Sequence, residues 1–254
     1  MKKYDYILWD WNGTLLDDLQ VCIKCINITL SSRNMPIMTK ERYYKEFCFP
    51  VINYYKKMGF DFEKEDYKIV AKEFIDNYNK FVNECGLHKQ ASKVIGKFAA
   101  CGIPQYILSA SDKDVLLKSL DKTGLKAIFK DIIAEDNIYA KGKLELAKNY
   151  FASNKPTGKG LLIGDTSHDY EVANAVGLDC ILFSKGHSQR ESLELLGVPI
   201  VDELSSILEF VFDKDTIKDC NKEKESSETS AFVNNYMGFY DDIKPHKLDS
   251  KSDW

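Results

Sequence analysis

The chain has 254 residues, of which 44% are hydrophobic and 29% are charged, and this is the composition of a globular protein with enough apolar side chains for a sizeable core. Its 39 acidic residues outnumber the 35 basic ones, which gives a formal net charge of -4. The sequence has no strongly basic stretch, and this argues against a nucleic-acid-binding protein.

The start of the chain and its cysteines indicate a cytoplasmic protein. The first residues lead directly into a strand pattern, without the apolar segment and small-residue cleavage site of a signal peptide. No apolar run is long enough to cross a membrane. The seven cysteines are odd in number and mostly lie among apolar neighbours, as reduced thiols do. We therefore expect no membrane partner, and the oligomeric state stays open.

Short apolar runs separated by helical patterns predict a parallel sheet. The runs expected to form strands are residues 6–9, 105–108, 131–134, 160–163, 180–183 and, as a short sixth strand, 199–201. Helical spacing of apolar residues lies between them, at 93–100, 115–120, 144–151 and 170–176. Such an alternation favours an α/β fold, a doubly wound parallel sheet with helices on both faces.

Residues 18–88 interrupt this alternation, because they contain helical patterns only, at 19–30, 41–48, 51–58 and 66–85. We interpret them as a helical cap domain over the carboxyl edge of the sheet. The α/β core would then comprise residues 1–17 and 89–212. From residue 213 to 254 the sequence is polar and poor in aliphatic residues, which predicts a disordered tail.

Polar residues end several predicted strands. Asp10 follows the first strand, Ser109 ends the second, and Asp165 follows the fourth. Ligands of open parallel sheets bind beyond the carboxyl ends of the strands. The sequence therefore predicts one ligand site that contains these three residues.

Four motifs, in order, resemble those of the haloacid dehalogenase superfamily, and of its phosphoglycolate phosphatase-like members in particular. They are Asp10-Trp11-Asn12-Gly13-Thr14, the strand end Ile107-Leu108-Ser109, a lysine at a helix start (Lys143 or, less favoured, Lys141), and Gly164-Asp165-Thr166-Ser167-His168-Asp169. The helical insertion after the first motif is similar to the cap of these members. The resemblance covers roughly the first 210 residues.

The resemblance implies a phosphatase that acts on a small phosphorylated metabolite with Mg²⁺ as its cofactor. Asp10 would be the covalent nucleophile. The carboxylates of Asp10 and Asp165 and the main-chain carbonyl of Asn12 would hold the metal ion.

The same resemblance assigns the other motif residues to phosphate binding and support. Ser109 and the main-chain amide of Ala110 would donate to phosphoryl oxygens, and Lys143 would supply a fixed positive charge. Asp169 would orient its neighbours or reach the metal through water. Structural roles compete with these assignments, because Ser109 or Asp169 could instead cap a following helix, which for Asp169 would begin at Tyr170.

Asn12 departs from the family pattern, in which an Asp acts as general acid and then as general base. An amide does not exchange a proton at neutral pH, and general acid–base catalysis contributes ~10²–10⁴-fold. The enzyme would be slow, act on a good leaving group, or use another group such as His168. Alternatively, the chain is a catalytically weak or silent phosphate-binding pseudoenzyme.

A third hypothesis is a phosphonatase-like C–P hydrolase. The phosphonoacetaldehyde hydrolase branch of the superfamily also lacks this Asp, and it has a Trp where Trp11 stands here. That branch needs a cap lysine for a Schiff base, for which Lys45, Lys56 and Lys57 are available.

Overall fold

The computed structural model describes residues 2–135, 142–154 and 156–213. The strands are β1 (Tyr6–Trp9), β2 (Leu16–Asp17), β3 (Gly86–Leu87), β4 (Gln105–Asp112), β5 (Phe129–Glu135), β6 (Gly160–Gly164), β7 (Asp179–Phe183) and β8 (Ile200–Val201). Six of them form a parallel sheet in the order β5-β4-β1-β6-β7-β8, and β2 pairs with β3 in an antiparallel ribbon.

Ten α-helices accompany these strands in the described part of the chain. They are α1 (Leu19–Ser31), α2 (Lys40–Glu46), α3 (Val51–Met58), α4 (Tyr67–Phe81), α5 (Ala91–Ala100), α6 (Lys113–Thr123), α7 (Lys143–Asn154), α8 (Ser167–Val176), α9 (Arg190–Glu194) and α10 (Ile207–Val211).

The central strand β1 shows why the sheet is covered on both faces. Its side chains alternate, so that Ile7 and Trp9 enter one apolar core and Tyr6 and Leu8 enter the other. The first core also contains side chains of α5, α6 and α10, and the second contains side chains of α7 and α8. The predicted doubly wound parallel sheet is therefore confirmed.

Helices α1 to α4 form the insertion between β2 and β3, and we call them the cap helices. Their buried side chains make a third apolar core of their own, which includes Leu19, Ile26, Tyr54 and Val70. The ribbon pairs Leu16 with Leu87, so the insertion leaves the core and returns to it at neighbouring points.

Two competing structural roles from the sequence are wrong in this fold. Strand β4 continues past Ser109, with a register irregularity between Leu108 and Asp112, and the side chain of Asp112 caps α6. Helix α8 begins at Ser167 rather than at Tyr170, and its N-cap residue is Thr166. Neither Ser109 nor Asp169 is therefore an N-cap residue.

The cysteines only partly match the expected pattern of reduced thiols. Five are free, namely Cys22, Cys25, Cys48, Cys85 and Cys180. Cys101 is disulfide-bonded, contrary to the expectation for that residue. Among the described helices, none combines the length and the apolar character that a membrane crossing requires.

Candidate active site

The sheet topology brings the first and fourth motifs together. Strands β1 and β6 are neighbours, with Trp9 aligned to Ile163, and the Asp10 amide donates a 2.9 Å hydrogen bond to the Ile163 carbonyl. Asp165 follows β6 directly. Both carboxylates therefore lie at the same carboxyl edge of the sheet. The strand order reverses at β1, which has β4 on one side and β6 on the other, and ligands of such sheets bind at this point.

Three buried carboxylates meet at this edge. Oxygens of Asp10, Asp165 and Asp169 lie within 4.8 Å of one another. Lys143, the first residue of α7, donates hydrogen bonds to Oδ1 of Asp10 and to Oδ1 of Asp169. Since one ammonium faces three carboxylates, the group carries a surplus of negative charge when all are ionised.

The Thr14 hydroxyl links two of these carboxylates. Its oxygen lies 3.1 Å from Oδ2 of Asp10 and 2.9 Å from Oδ1 of Asp165. Because a hydroxyl has a single proton, it can donate to only one of them at a time. Thr14 belongs to the first motif, but the motif itself does not indicate this contact.

Asp169 holds both Lys143 and the loop that follows β6. Its Oδ2 accepts hydrogen bonds from the amides of Asp165 (3.1 Å) and Thr166 (3.0 Å). Thr166 in turn accepts from the Asp169 amide, which completes a capping box at the start of α8. Asp169 therefore fixes the main chain on which Asp165 stands.

Burial and charge set the pKa values of this group. Burial raises the pKa of Asp10 and Asp165 above the ordinary aspartate value, and for each a nearby cation opposes this only partly, Lys143 for Asp10 and His187 for Asp165. Burial also acts to raise the pKa of Asp169, but the Lys143 ammonium outweighs it and the pKa is lowered. For Lys143, the two carboxylates outweigh burial and raise its pKa.

These residues fit a hard divalent cation. Carboxylate oxygens are the ligands that such a cation prefers, and its charge would offset the surplus of negative charge. Glycine main chain also closes around Asp165, because a Cβ at Gly13 or Gly186 would overlap its carboxylate. The absence of side chains at these two positions leaves the space that the carboxylate occupies.

Ser109, from the second motif, and its neighbour Ser111 lie beside the side-chain oxygen of Asn12. Asn12 Oδ1 accepts a 2.6 Å hydrogen bond from the Ser111 hydroxyl and lies 3.4 Å from Ser109 Oγ. The Ser111 amide donates to Ser109 Oγ at 3.1 Å. Ser109 is buried, whereas Ala110 is exposed.

A second polar cluster adjoins the carboxylates. Buried Asp18 accepts hydrogen bonds through Oδ2 from Asn12 Nδ2 (2.8 Å) and the Tyr78 hydroxyl (2.7 Å). Its Oδ1 lies 3.0 Å from Nε2 of His187, whose amide donates to Oδ2 of Asp165 at 2.6 Å. We call Asn12, Asp18, Tyr78 and His187 the Asp18 cluster.

The Asp18 cluster contains an ion pair. Burial acts to lower the pKa of His187, but Asp18 outweighs it and raises the pKa to about 9. Burial likewise acts to raise the pKa of Asp18, and His187 outweighs it so that the pKa is lowered. Together with Cys22 these two side chains also have the spacing of metal ligands.

Aromatic side chains of the cap helices and their loops close over this edge. The Tyr43 hydroxyl lies 2.9 Å from Nδ1 of His187, and the Tyr44 hydroxyl donates to the Gly186 carbonyl at 3.1 Å. Phe49 stacks on His168, with ring centroids 4.8 Å apart. The cap helices therefore contact the core next to the three carboxylates.

The structure thus brings together most of the residues singled out from the sequence. Asp10, Lys143, Asp165 and Asp169 contact one another. Ser109 lies beside Asn12, which is connected to Asp165 through Asp18 and His187. Lys141 lies outside the described residues.

Other candidates have no such placement. His168 pairs with Glu171 and faces the cap. The cap lysines proposed for a Schiff base, Lys45, Lys56 and Lys57, are all exposed.

Sequence reasoning missed the remaining polar residues of the site. They are Thr14, Asp18, Tyr78, Ser111 and His187. Asp18 and His187 are 169 residues apart in the chain, and no local pattern relates them. For Thr14 alone a signal was available, its place in the first motif.

Comparison with known proteins identifies one matching family. The family model described as "Haloacid dehalogenase-like hydrolase" matches residues 7–183, which include every described motif residue. No curated protein matches the chain in sequence.

Solved structures from several bacteria share the fold. A predicted phosphatase from Clostridium acetobutylicum is 18% identical, covering 82% of this chain and 97% of its own, with a TM-score of 0.71. A predicted phosphoglycolate phosphatase from Haemophilus somnus 129pt is 16% identical, covering 83% and 99%, with a TM-score of 0.67. Protein Tyrosine Kinase A from Mycobacterium tuberculosis is 15% identical, covering 82% and 97%, with a TM-score of 0.69. Because the names of these proteins differ, the shared fold alone does not fix the reaction.

Proposed function

The chain belongs to the haloacid dehalogenase-like hydrolase family, and on this basis we propose that it is a magnesium-dependent phosphatase that hydrolyses a small phosphomonoester through a phosphoaspartate on Asp10. The observation that supports this best is the buried contact of Lys143 with Asp10 and Asp169, next to Asp165. In this proposal, Asp10 as nucleophile, Lys143 as fixed cation and the further carboxylates share one edge of the sheet.

Magnesium would be held by the carboxylates of Asp10 and Asp165 and by the main-chain carbonyl of Asn12. Bound there, it would neutralise negative charge on the phosphoryl group. Asp169 supports this arrangement from behind, because it fixes the Asp165 amide and orients Lys143.

The protein's own residues carry the covalent chemistry. A carboxylate oxygen of Asp10 attacks phosphorus, and the bond from phosphorus to the leaving oxygen breaks as the new bond forms. Lys143 stabilises the charge on the phosphoryl oxygens, and Ser109 and the Ala110 amide donate hydrogen bonds to them. Water then attacks phosphorus, so that inorganic phosphate leaves and the Asp10 carboxylate is restored.

Asn12 limits which substrates react well. Its side chain cannot protonate the leaving oxygen or take a proton from the attacking water. Substrates whose leaving group is stable as an anion need no such proton. We therefore propose that the preferred phosphomonoester has a good leaving group.

The second candidate function is a phosphate-binding pseudoenzyme, and Asn12 is the observation that favours it. Retention of the buried Asp10–Lys143 contact favours the enzyme instead, because binding alone needs no nucleophile beside the cation. A phosphonatase-like C–P hydrolase has less support, since the three cap lysines that would form its Schiff base are exposed.

A phosphate-release assay tests the proposal. Purified protein with Mg²⁺ is offered an aryl phosphate and a panel of phosphorylated metabolites. We expect phosphate release that EDTA abolishes. A protein that releases phosphate from none of these compounds, yet shows a thermal shift with inorganic phosphate, is the pseudoenzyme.

A further inference from the structure

Both ends of the Asn12 side chain are bound within the protein. Its Nδ2 donates to Asp18 Oδ2 at 2.8 Å and to the Tyr78 hydroxyl at 2.7 Å. Its Oδ1 accepts from the Ser111 hydroxyl at 2.6 Å. The Asn12 side chain therefore bridges a helix of the cap and the strand that carries Ser109.

Asp18 determines the orientation of the Asn12 side-chain amide. An ionised carboxylate only accepts hydrogen bonds, so the Asn12 atom beside it has to be the NH₂ group. Although Asp18 is the N-cap residue of α1, its side chain makes no capping hydrogen bond. It is used instead for Asn12, Tyr78 and His187.

The contacts continue from Asn12 to the phosphate-binding segment. Ser111 reaches Asn12 with its hydroxyl and Ser109 with its main-chain amide, the latter at 3.1 Å. The path from the cap to Ser109 therefore consists of Tyr78, Asp18, Asn12 and Ser111. Each step is a hydrogen bond between partly or fully buried groups.

We propose that Asp18 and Tyr78 are positioning residues, which hold Asn12 so that its carbonyl oxygen orders Ser111 and, through it, the Ser109 hydroxyl for phosphate binding. This inference rests on the proposed function in one respect, that Ser109 binds the phosphoryl group. It makes phosphate affinity depend on two residues that do not touch the phosphate.

The same contacts predict that an Asp would be unfavourable at position 12 in this chain. An Asn12→Asp side chain would place a carboxylate oxygen about where Nδ2 now donates to Asp18. Two carboxylates would then face each other in a buried site. The motif alone favours Asn12→Asp as a gain of function, and the Asp18 contact reverses that expectation.

Calorimetric titration with inorganic phosphate, in the presence of Mg²⁺, tests the positioning role without any turnover. Tyr78→Phe removes two hydrogen bonds, the one that Tyr78 donates to Asp18 and the one that it accepts from Asn12. We expect this variant to weaken phosphate binding by about three- to tenfold. Tyr67→Phe, the same change at the start of α4, is the control and should leave the affinity unchanged. Equal affinities of Tyr78→Phe and wild type would overturn the proposal.

Exchange of the two side chains is the second test. Asn12→Asp and Asp18→Asn should each weaken phosphate binding by about tenfold or more, because each breaks a hydrogen bond to a charged group. The double variant restores one carboxylate and one amide in contact, and it should bind more tightly than either single variant. Additive losses would contradict the pairing. Wild-type protein that binds no phosphate would instead contradict the proposed function.

Discussion

Lys143 and Asp10 form a buried ion pair, although one begins helix α7 and the other follows strand β1. The ammonium also binds Asp169, so it is held by two carboxylates at once. Because it lies beside the proposed nucleophile, we propose Lys143 as the fixed positive charge of the site.

Lys143→Met should reduce phosphate release by at least about 100-fold, because a preorganised charge at the phosphoryl group is lost. Lys148→Met, an exposed position on the same helix, should have no effect on turnover. Turnover is measured with an aryl phosphate, and circular dichroism checks that both variants fold. If both variants lost phosphate release equally, the effect of Lys143→Met would come from a disturbed helix α7 and not from the lost charge.

Wild-type protein should accumulate phosphoaspartate during turnover of an aryl phosphate. The leaving group departs without a proton, but the water that attacks the intermediate has no carboxylate at position 12 to accept its proton. Acid-quenched protein should therefore carry one phosphoryl group by mass spectrometry. Asp10→Asn should carry none and release no phosphate, whereas the exposed-site variant Asp121→Asn should behave as wild type. An unmodified wild-type protein during active turnover would contradict the slow second step.

Magnesium should raise the thermal midpoint of the wild-type protein, because it offsets the charge of three buried carboxylates. Asp165→Asn should abolish most of this shift, since it removes one ligand. The comparison is a thermal melt in EDTA against one in excess Mg²⁺ for each protein. The same magnesium shift in both proteins would place the metal elsewhere.

Gly13→Ala should destabilise the protein by at least about 2 kcal/mol. Gly13 has a φ of +78°, and a Cβ there would overlap the Asp165 carboxylate and the His187 ring. Gly177 has a similar φ of +72° with nothing within 4 Å of its Cβ position. Gly177→Ala should therefore cost only the backbone strain, about 1 kcal/mol. Urea unfolding measures the stability of both variants. Equal losses of stability would show that neighbouring atoms move to relieve the overlap at Gly13.

The Asp18–His187 ion pair should make stability depend on pH in the metal-free protein. Folding raises the pKa of His187 from 6.5 to about 9, so the stabilisation is fully present below about pH 6.5 and is lost as the pH rises through 9. The lowered pKa of Asp18 adds a loss on the acid side, as the pH falls below the ordinary value of 3.8.

Urea unfolding in EDTA tests this, with wild type and His187→Gln compared at several pH values. The stability advantage of wild type should be largest near pH 6 and should shrink towards pH 10. A difference that does not change with pH would mean that His187 is uncharged in the folded protein.

The sequence predicted the sheet because each strand is a short apolar run ended by a polar residue. It also predicted the meeting of Asp10 and Asp165, since parallel strands bring their carboxyl ends to one edge. The Lys143 position at a helix start followed from the apolar helix after it, and the structure begins α7 there.

Contacts between distant segments could not be predicted in the same way. Tyr78 lies in a helix whose periodicity explains its packing but not its hydrogen bond to Asp18. His187 lies in a loop, and its partner depends on how the cap helices dock. An N-cap role at a helix beginning at Tyr170 was only the competing interpretation for Asp169, and the Thr-x-x-Asp spacing from Thr166 instead gives a capping box.

The ribbon of β2 and β3 has a consequence for how the gene can change. Because Asp17 pairs with Gly86, the inserted helices start and finish at adjacent positions, and their length does not affect how β1 aligns with β4 and β6. Recombination could exchange this stretch of the coding sequence without disturbing the sheet. A transplanted insertion would nevertheless have to supply its own hydroxyl in place of Tyr78. Without it, Asp18 would lack the hydrogen bond that Tyr78 now donates.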